Sequence, residues 1–167
     1  MSNPLIGLLR EIRSQHGREH ATVAVLLERG VRPPLAGNAT PGGFLLYSRA
    51  STEEVREAAE EALRRLQVGE IGLAVSPYCG TNLLVAALMA LVVSAVLRGR
   101  SKSIVKGMSS MMLGIMVALT FRRRVGELVQ EHLTTLPDSD GVSVRRIKGL
   151  QVGGMSVHWV GTGPDST

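Results

Sequence analysis

The chain has 167 residues, enough for one domain with a hydrophobic core and too few for two large ones. It carries 19 basic and 14 acidic residues but only 3% aromatic residues, which argues against nucleic-acid binding because few rings are present to stack on bases. A single cysteine, Cys79, excludes an internal disulfide and a cysteine-rich zinc module.

The first part of the chain predicts helices that end in an irregular loop. Apolar residues recur at helical spacing after Pro4 and continue up to Gly30, which indicates one or two helices. The stretch 31–43 is rich in proline and glycine and predicts a loop without regular structure. A short apolar run at residues 44–47 then predicts a strand.

A helix and a second strand are predicted next. Residues 51–54 read Ser-Thr-Glu-Glu, a capping box in which the Ser51 hydroxyl and the Glu54 carboxylate each accept a hydrogen bond from the other residue's backbone. Amphipathic spacing behind this box predicts a helix that ends near Gly69. The apolar residues 71–75 predict the second strand.

Two long apolar runs follow and predict a hydrophobic helical hairpin. Residues 80–97 form 18 consecutive uncharged positions, close to the roughly 20 that cross a bilayer as a helix. The second run, 107–121, is shorter, and its small residues permit close helix packing in a membrane. Basic residues flank both runs and suit anionic lipid headgroups. We therefore expect a transmembrane or re-entrant hairpin in the cell membrane; the alternative is a pair of buried helices in a soluble oligomer.

The C-terminal part predicts a β-hairpin, because apolar residues alternate on both sides of Gly153-Gly154. The expected fold class is α+β, with three parts in chain order. Residues 1–78 are expected to form a small αβαβ unit, and residues 79–124 the two-helix hydrophobic hairpin. Residues 125–167 are expected to form a β-hairpin and tail that pack on the N-terminal part.

One cluster of metal-ligating residue types lies in the first predicted helix. His16, Glu19 and His20 have the His-x-x-Glu-His spacing of inverted zinc-hydrolase motifs. Residues four apart share one face of a helix, so both imidazoles can bind one metal ion while Glu19 lies beside them as a general base. The alternative is an ordinary polar helix surface.

Cys79 is the third candidate ligand. It stands at a predicted helix start, where the backbone amides and the helix dipole stabilise the thiolate that binds metal. With His16 and His20, this thiolate would leave the fourth position of a zinc ion for water. The alternative is that Cys79 is a small buried hydrophobic residue. His132 and His158 have no partner at ligand spacing and are expected to be structural or exposed.

Two separated signatures resemble those of known membrane proteins. The segments are residues 16–20, His-Gly-Arg-Glu-His, and residues 77–82, Pro-Tyr-Cys-Gly-Thr-Asn, which an apolar helix follows. Together they resemble the YqhQ-like predicted metal-dependent enzymes. They resemble more closely a bacterial membrane domain-of-unknown-function family with Glu-His-Ala and Cys-Gly-Thr-Asn signatures. The resemblance covers residues 16–97. It departs at Ser76, where the family often has histidine.

The resemblance implies that His16, Glu19, His20 and Cys79 are metal-site residues. From the spacing and the donor types, we expect His16, His20 and Cys79 to bind zinc and Glu19 to be the catalytic residue. Two functions follow as hypotheses. One is an integral membrane protein with a zinc site at the membrane surface that acts as a metal-dependent hydrolase. The alternative is a non-catalytic membrane scaffold or oligomeric accessory subunit with a degenerate site. Both predict the lipid bilayer as a partner, a homo-oligomer or a membrane-protein partner, and no nucleic acid.

Overall fold

The structure, a computed structural model, describes residues 4–165 and divides into two compact units. The first, which we call the sheet unit, comprises Met1–Ser76 and Leu133–Thr167. The second, the hairpin unit, comprises Pro77–His132. The expected α+β class is confirmed.

The sheet unit contains two helices and one antiparallel sheet. The helices are α1 (Pro4–Glu28) and α2 (Thr52–Gln67). The strands are β1 (Ala36–Thr40), β2 (Gly43–Ser48), β3 (Val142–Val152) and β4 (Met155–Pro164). Their order in the sheet is β1-β2-β4-β3, so the C-terminal hairpin pairs with the N-terminal strands through β4 and β2.

The core of the sheet unit lies between the two helices and the sheet. Helix α2 begins at the predicted capping box, where the Glu54 amide donates to Ser51 Oγ at 3.2 Å and the Ser51 amide donates to Glu54 Oε2 at 2.7 Å. Its apolar residues recur at helical spacing and are buried. The buried core residues include Ala21, Val25 and Leu26 from α1, Phe44 and Leu46 from β2, Val55, Ala58, Ala59 and Ala62 from α2, and Val160 from β4.

Two predictions about short elements were wrong. Residues 71–75 are not a strand, because Ile71–Ala74 form one turn of 3-10 helix in which the Leu73 amide donates to Glu70 O. Ile71 is 60% exposed, whereas the adjacent residues Leu73 and Ala74 both pack against the core, so burial does not alternate from residue to residue as it does in a strand. The predicted loop 31–43 contains strand β1, which pairs with β2 through a tight turn. Backbone hydrogen bonds to β2 hold this strand in place. Its side chains are small and show no alternating hydrophobic pattern, so the sequence did not predict it.

The hairpin unit consists of two long helices that pack against each other. These are α3 (Gly80–Arg98) and α4 (Ile104–Val129). A π-helical turn, Gln130–Thr134, follows α4 along the chain, and its last two residues belong to the sheet unit. A side chain at Gly114 would overlap Ser94 and the carbonyl of Ala90, so this glycine allows the helices to approach closely.

A buried amide pair joins the start of α3 to the end of α4. Asn82 donates to the Pro77 carbonyl at 2.8 Å and accepts from Gln130 Nε2, also at 2.8 Å. Gly126 lies against Asn82, where a Cβ atom would overlap the amide. These contacts satisfy two polar side chains that would otherwise be costly to bury.

Most large apolar side chains of the hairpin unit are exposed in the structure. By length and composition, both α3 and α4 are apolar enough to cross a membrane. In the most apolar 18-residue stretch of each helix, only 17% is buried. The side chains more than half exposed include Leu83, Leu84, Leu88, Leu91, Val92 and Val96 on α3, and Ile104, Val105, Met108, Met111, Met112 and Met116 on α4. The two apolar helices are therefore confirmed as elements, and their insertion into a bilayer stays a prediction.

Candidate metal centre

The three residues of the His-x-x-Glu-His pattern lie together on α1, within the sheet unit. The ring centroids of His16 and His20 are 4.3 Å apart. Glu19 Oε2 is 3.9 Å from His16 Nε2 and 3.8 Å from His20 Nε2. Glu19 and His20 are buried, and His16 is half-buried. The structure thus brings these three predicted site residues together.

Backbone carbonyls orient both imidazole rings. His16 Nδ1 donates to Thr134 O at 3.0 Å, and His20 Nδ1 donates to Ala74 O at 2.9 Å. A carbonyl oxygen only accepts, so each Nδ1 carries the hydrogen and each neutral ring has its lone pair on Nε2. Metal-binding histidines are usually held in this way, with the second ring nitrogen bonded to a carbonyl or carboxylate. The two carbonyls therefore select the tautomer that binds a metal through Nε2.

Gly17 allows α1 to approach the segments that supply these carbonyls. A Cβ atom on Gly17 would lie 2.5 Å from Leu136 O and 3.2 Å from the Cβ of Ala74. The Leu136 amide also donates to Arg13 O at 3.0 Å, which fixes this segment along α1. Because Gly17 has no side chain, both segments can lie close enough to α1 for His16 to bond to Thr134 O and for His20 to bond to Ala74 O.

The Glu19 carboxylate lies against strand β1. A Cβ atom on Gly37 would overlap Cγ, Cδ and Oε1 of Glu19, so the carboxylate occupies the space that a side chain at position 37 would fill. Burial raises the pKa of Glu19 to about 7, and the nearby His16 opposes the rise. Glu19 can therefore exchange a proton near neutral pH, which is the property that a general base needs.

Arg18 anchors the opposite side of this turn of α1. Its guanidinium is buried and donates to Asp138 O at 2.7 Å, to Thr162 Oγ1 at 3.2 Å and to Ser139 Oγ at 3.4 Å. Thr162 Oγ1 in turn donates to Gln15 Oε1 at 2.9 Å. Burial lowers the pKa of Arg18, and the charge of Asp138 opposes this effect. The network fixes the rotation of α1 and so the direction in which the imidazoles project.

Cys79 lies in the hairpin unit, at the N-cap of α3, as predicted. Its Sγ accepts from the Thr81 amide at 3.3 Å, and its side chain is half-buried. His16 and His20 carry imidazoles and Cys79 carries a thiol, and each of these groups is able to bind a metal ion. Nitrogen and thiolate donors of this kind suit zinc better than magnesium or calcium.

The two remaining histidines have other environments. His132 is exposed, and its Nδ1 donates to Leu128 O at 3.0 Å. His158 is buried on β4, where its Nε2 lies 3.2 Å from Thr52 Oγ1. Burial lowers the pKa of His158. Both agree with the expected structural or exposed roles.

Sequence reasoning missed the groups that position the site. Gly37 lies in a segment that was predicted to be a loop. A glycine within a strand can mark the close approach of another side chain, but this signal is visible only once the strand is known. The carbonyls of Ala74 and Thr134 carry no signal in the sequence, since every residue has a carbonyl. Gly17 lies inside the motif, yet its role depends on a segment more than one hundred residues away.

The fold and the site define a class of small α+β proteins that combine a His-x-x-Glu-His helix with a pair of apolar helices. Within it, the chain belongs to the family described as Domain of unknown function (DUF6391), whose profile matches residues 11–147. The expected membership of a domain-of-unknown-function family is confirmed at this level. The relationship to the YqhQ-like proteins stays a prediction.

The chain is also similar to an uncharacterised protein of Picosynechococcus sp. (strain ATCC 27264 / PCC 7002 / PR-6). The two are 31% identical over 137 residues, which cover 74% of this chain and 65% of that relative. The chain thus spans just under two thirds of the relative's length. No solved structure matches this chain.

Proposed function

We propose that this protein is a membrane-bound zinc protein that catalyses a hydrolysis, with His16, His20 and Cys79 as the metal ligands and Glu19 as the general base. The observation that carries the proposal is the pair of Nδ1–carbonyl bonds, from His16 to Thr134 O and from His20 to Ala74 O. The exposed His132 bonds through Nδ1 to a carbonyl of its own helix, Leu128 O, whereas two separate segments hold the rings of His16 and His20 in one tautomer, which an ordinary polar helix surface does not require. Histidines that bind a metal are usually held in this way.

Cys79 is the proposed third ligand because of its chemistry and its place in the chain. It caps α3, where the helix dipole favours the thiolate. It also follows Ala74, the carbonyl partner of His20, by five residues. Five residues of extended chain reach at most about 18 Å, so Cys79 is tethered to the segment that orients His20.

Glu19 is the proposed base because its Oε2 lies 3.9 Å from His16 Nε2 and 3.8 Å from His20 Nε2. A zinc ion held by three protein ligands keeps one position for water and lowers the pKa of that water. Glu19 would accept the proton of the attacking water and pass it to the leaving group. Gly37 keeps the carboxylate in reach of the imidazoles, and burial shields it from bulk water.

Membrane binding is proposed from the exposed apolar side chains and from the charge of the hairpin unit. The unit carries seven basic and two acidic residues, so the whole net charge of +5 resides in it, while the sheet unit has twelve of each sign. No acidic residue lies between Ile71 and Gly126. A long apolar helix pair with basic flanks is typical of segments that insert into anionic membranes.

Metal analysis of the detergent-purified protein tests the zinc site. We expect about one zinc per chain after dialysis against zinc, and loss of zinc in His20→Ala and in Cys79→Ser. His132→Ala is the matched control, because His132 is exposed and is no proposed ligand. Replacement of zinc by cobalt adds an independent readout, a thiolate-to-cobalt charge-transfer band that Cys79→Ser should abolish. Absence of stoichiometric zinc in the wild-type protein would contradict the proposal.

A membrane scaffold or oligomeric subunit is the second candidate function. It is favoured by the exposed apolar faces of α3 and α4, which could pack against copies of the chain or against another membrane protein. Ser76, where the related family often has histidine, fits a site that no longer binds metal. Stoichiometric oligomers in detergent, together with an absence of zinc, would favour this function over hydrolysis.

A further inference from the structure

We infer that the substrate is a polypeptide in extended conformation, which binds as an additional strand along the outer edge of β1 and passes Glu19. This inference rests on the proposed function, because it names the substrate class of the same site. All the residues that carry it belong to the sheet unit.

Strand β1 is an edge strand with unused pairing capacity. It pairs with β2 on one side, and no other strand of residues 4–165 pairs with its second side. Thr40 and Gly43 form the closing pair of a two-residue hairpin, which exchanges hydrogen bonds. Pairing alternates along an antiparallel ladder, so Asn38 bonds to β2, while the amides and carbonyls of Gly37 and Ala39 point outward. These groups can bind the backbone of an added strand.

The two edges of the sheet differ in how they are protected. Strand β3, at the other edge, carries the exposed basic side chains Arg145, Arg146 and Lys148. Charged side chains on an edge prevent other chains from pairing with it. Strand β1 reads Ala-Gly-Asn-Ala-Thr, without a charged or bulky residue, and its first three residues are exposed. Its edge is therefore the one that a polypeptide can approach.

The catalytic carboxylate lies at this strand. Glu19 packs directly against Gly37, one of the two residues whose amide and carbonyl point outward. Neighbouring strands lie about 4.8 Å apart, so a strand added beside Gly37 passes close to Glu19. An extended polypeptide in this position presents its own carbonyl carbons to the water that Glu19 would deprotonate.

The reaction would be hydrolysis of a peptide bond, with water as the second reactant. The water oxygen forms a bond to the carbonyl carbon, and the bond between that carbon and the amide nitrogen breaks. Glu19 accepts a proton from the water and transfers it to the departing nitrogen. The products are a carboxylate and an amine, and no oxidant or reductant is required.

Binding of fluorescein-labelled casein, a largely unfolded polypeptide, tests the inference. The measurement is fluorescence anisotropy with the detergent-purified, zinc-loaded Glu19→Gln protein, because this variant should bind a polypeptide without cleaving it. Ala39→Pro, added to this variant, removes an outward amide and leaves the bonds to β2 in place. We expect it to weaken casein binding about tenfold or more. Gln151→Pro is the matched control, since it removes an outward amide from the opposite edge strand, β3, and should leave binding unchanged.

The outcomes separate this inference from the proposed function. The inference of a polypeptide substrate would be overturned if the protein binds zinc but not casein. It would also be overturned if the Ala39→Pro variant binds casein as tightly as the Glu19→Gln protein without it. In both cases the proposed zinc site would be unaffected. Absence of zinc would overturn both the inference and the proposed function. If Ala39→Pro loses its zinc, hydrogen exchange of the Glu19→Gln protein decides instead. Casein should then protect the amides of Gly37 and Ala39 and leave Asn38 unchanged, and a lack of added protection would overturn the inference.

Discussion

Single residues decide whether the site can bind a metal and react. The carbonyls of Ala74 and Thr134 orient His20 and His16, and Gly37 gives Glu19 its place between the two rings. None of these interactions follows from residue type alone. The His-x-x-Glu-His spacing supplies the donors, and the surrounding backbone supplies their orientation.

Glu19→Gln should separate metal binding from catalysis. The amide keeps the shape of the side chain but cannot accept the proton of water, so we expect unchanged zinc content and a loss of hydrolysis of about 100-fold or more. The measurement is cleavage of labelled casein alongside zinc analysis of the same sample. Loss of zinc together with activity would instead show that Glu19 supports the site structurally.

The stability of the metal-free protein should depend on the charge of Glu19. The folded pKa of about 7 lies above the ordinary value of 4.5, so the folded protein binds this proton more tightly than the unfolded chain does. The free energy of unfolding should therefore fall as pH rises from about 4.5 to about 7, by roughly 3 kcal/mol, and should not fall further above that range on this account.

Chemical denaturation of the metal-free protein between pH 4 and 8, compared with Glu19→Gln, measures this effect. The variant has no carboxylate at this position, so its curve supplies the contribution of all other groups. Parallel curves for the two proteins would contradict a raised pKa of Glu19. Added zinc should reduce the difference in the free energy of unfolding between acidic and neutral pH, because a nearby cation favours the ionised carboxylate of Glu19.

At the scale of elements, glycines set how closely helices approach their neighbours. Gly17 on α1 faces Leu136 O and the Ala74 side chain, and Gly114 on α4 faces Ser94 and the Ala90 carbonyl. In both places backbone atoms lie where a side chain would be. Rigid backbone cannot yield as a flexible side chain can, so larger residues should move the element.

Gly17→Ala should destabilise the sheet unit and disturb the metal site. The added methyl group meets Leu136 O, and the strain should cost about 1–3 kcal/mol in the free energy of unfolding and weaken zinc binding. Gly7→Ala is the matched control on the same helix, since no atom lies within 4 Å of its Cβ position. It should be neutral or stabilise the helix by up to about 1 kcal/mol. Equal effects of the two substitutions would exclude close packing as the reason.

Gly114→Leu should separate α3 from α4. Its side chain cannot fit against Ser94 and Ala90, so we expect earlier thermal unfolding in detergent and faster protease cleavage of the hairpin unit. Leu113→Ile changes the neighbouring exposed position without altering the interface and serves as the control. A Gly114→Leu protein as stable as the wild type would show that the two helices do not depend on this contact.

At the scale of the whole molecule, charge and hydrophobicity are divided between the two units. The hairpin unit holds the entire net charge and the largest set of exposed apolar side chains, while the sheet unit is neutral and has a buried core. This division suits a protein whose hairpin unit contacts anionic lipid and whose sheet unit carries out polar chemistry in water.

Membrane fractionation tests this division. We expect the wild-type protein to remain with membranes after alkaline carbonate extraction. The double substitution Leu88→Arg with Leu91→Arg should release it, since each arginine near the middle of a membrane helix costs about 3 kcal/mol. Leu150→Arg is the control, because Leu150 is at least as exposed as Leu88 and Leu91 but lies in the sheet unit. Wild-type protein that is fully soluble without detergent would contradict membrane insertion.

The sequence by itself determined the elements whose signal is local. The capping box at Ser51 fixed the start of α2, the uncharged runs fixed the two apolar helices, and the Gly153-Gly154 turn fixed the C-terminal hairpin. It also supplied the candidate ligands, because residues four apart on a helix must share a face. Local spacing is sufficient for these features, since neighbours in the chain produce them.

Only the tertiary structure decided the features that depend on distant segments. Strand β1 forms because β2 offers it hydrogen bonds, and residues 71–74 turn as a 3-10 helix because no strand pairs with them. The tautomers of His16 and His20 depend on carbonyls that lie 118 and 54 residues away in the chain. Backbone hydrogen-bonding groups are the same in every residue, so no residue type in the sequence reveals which of them will meet.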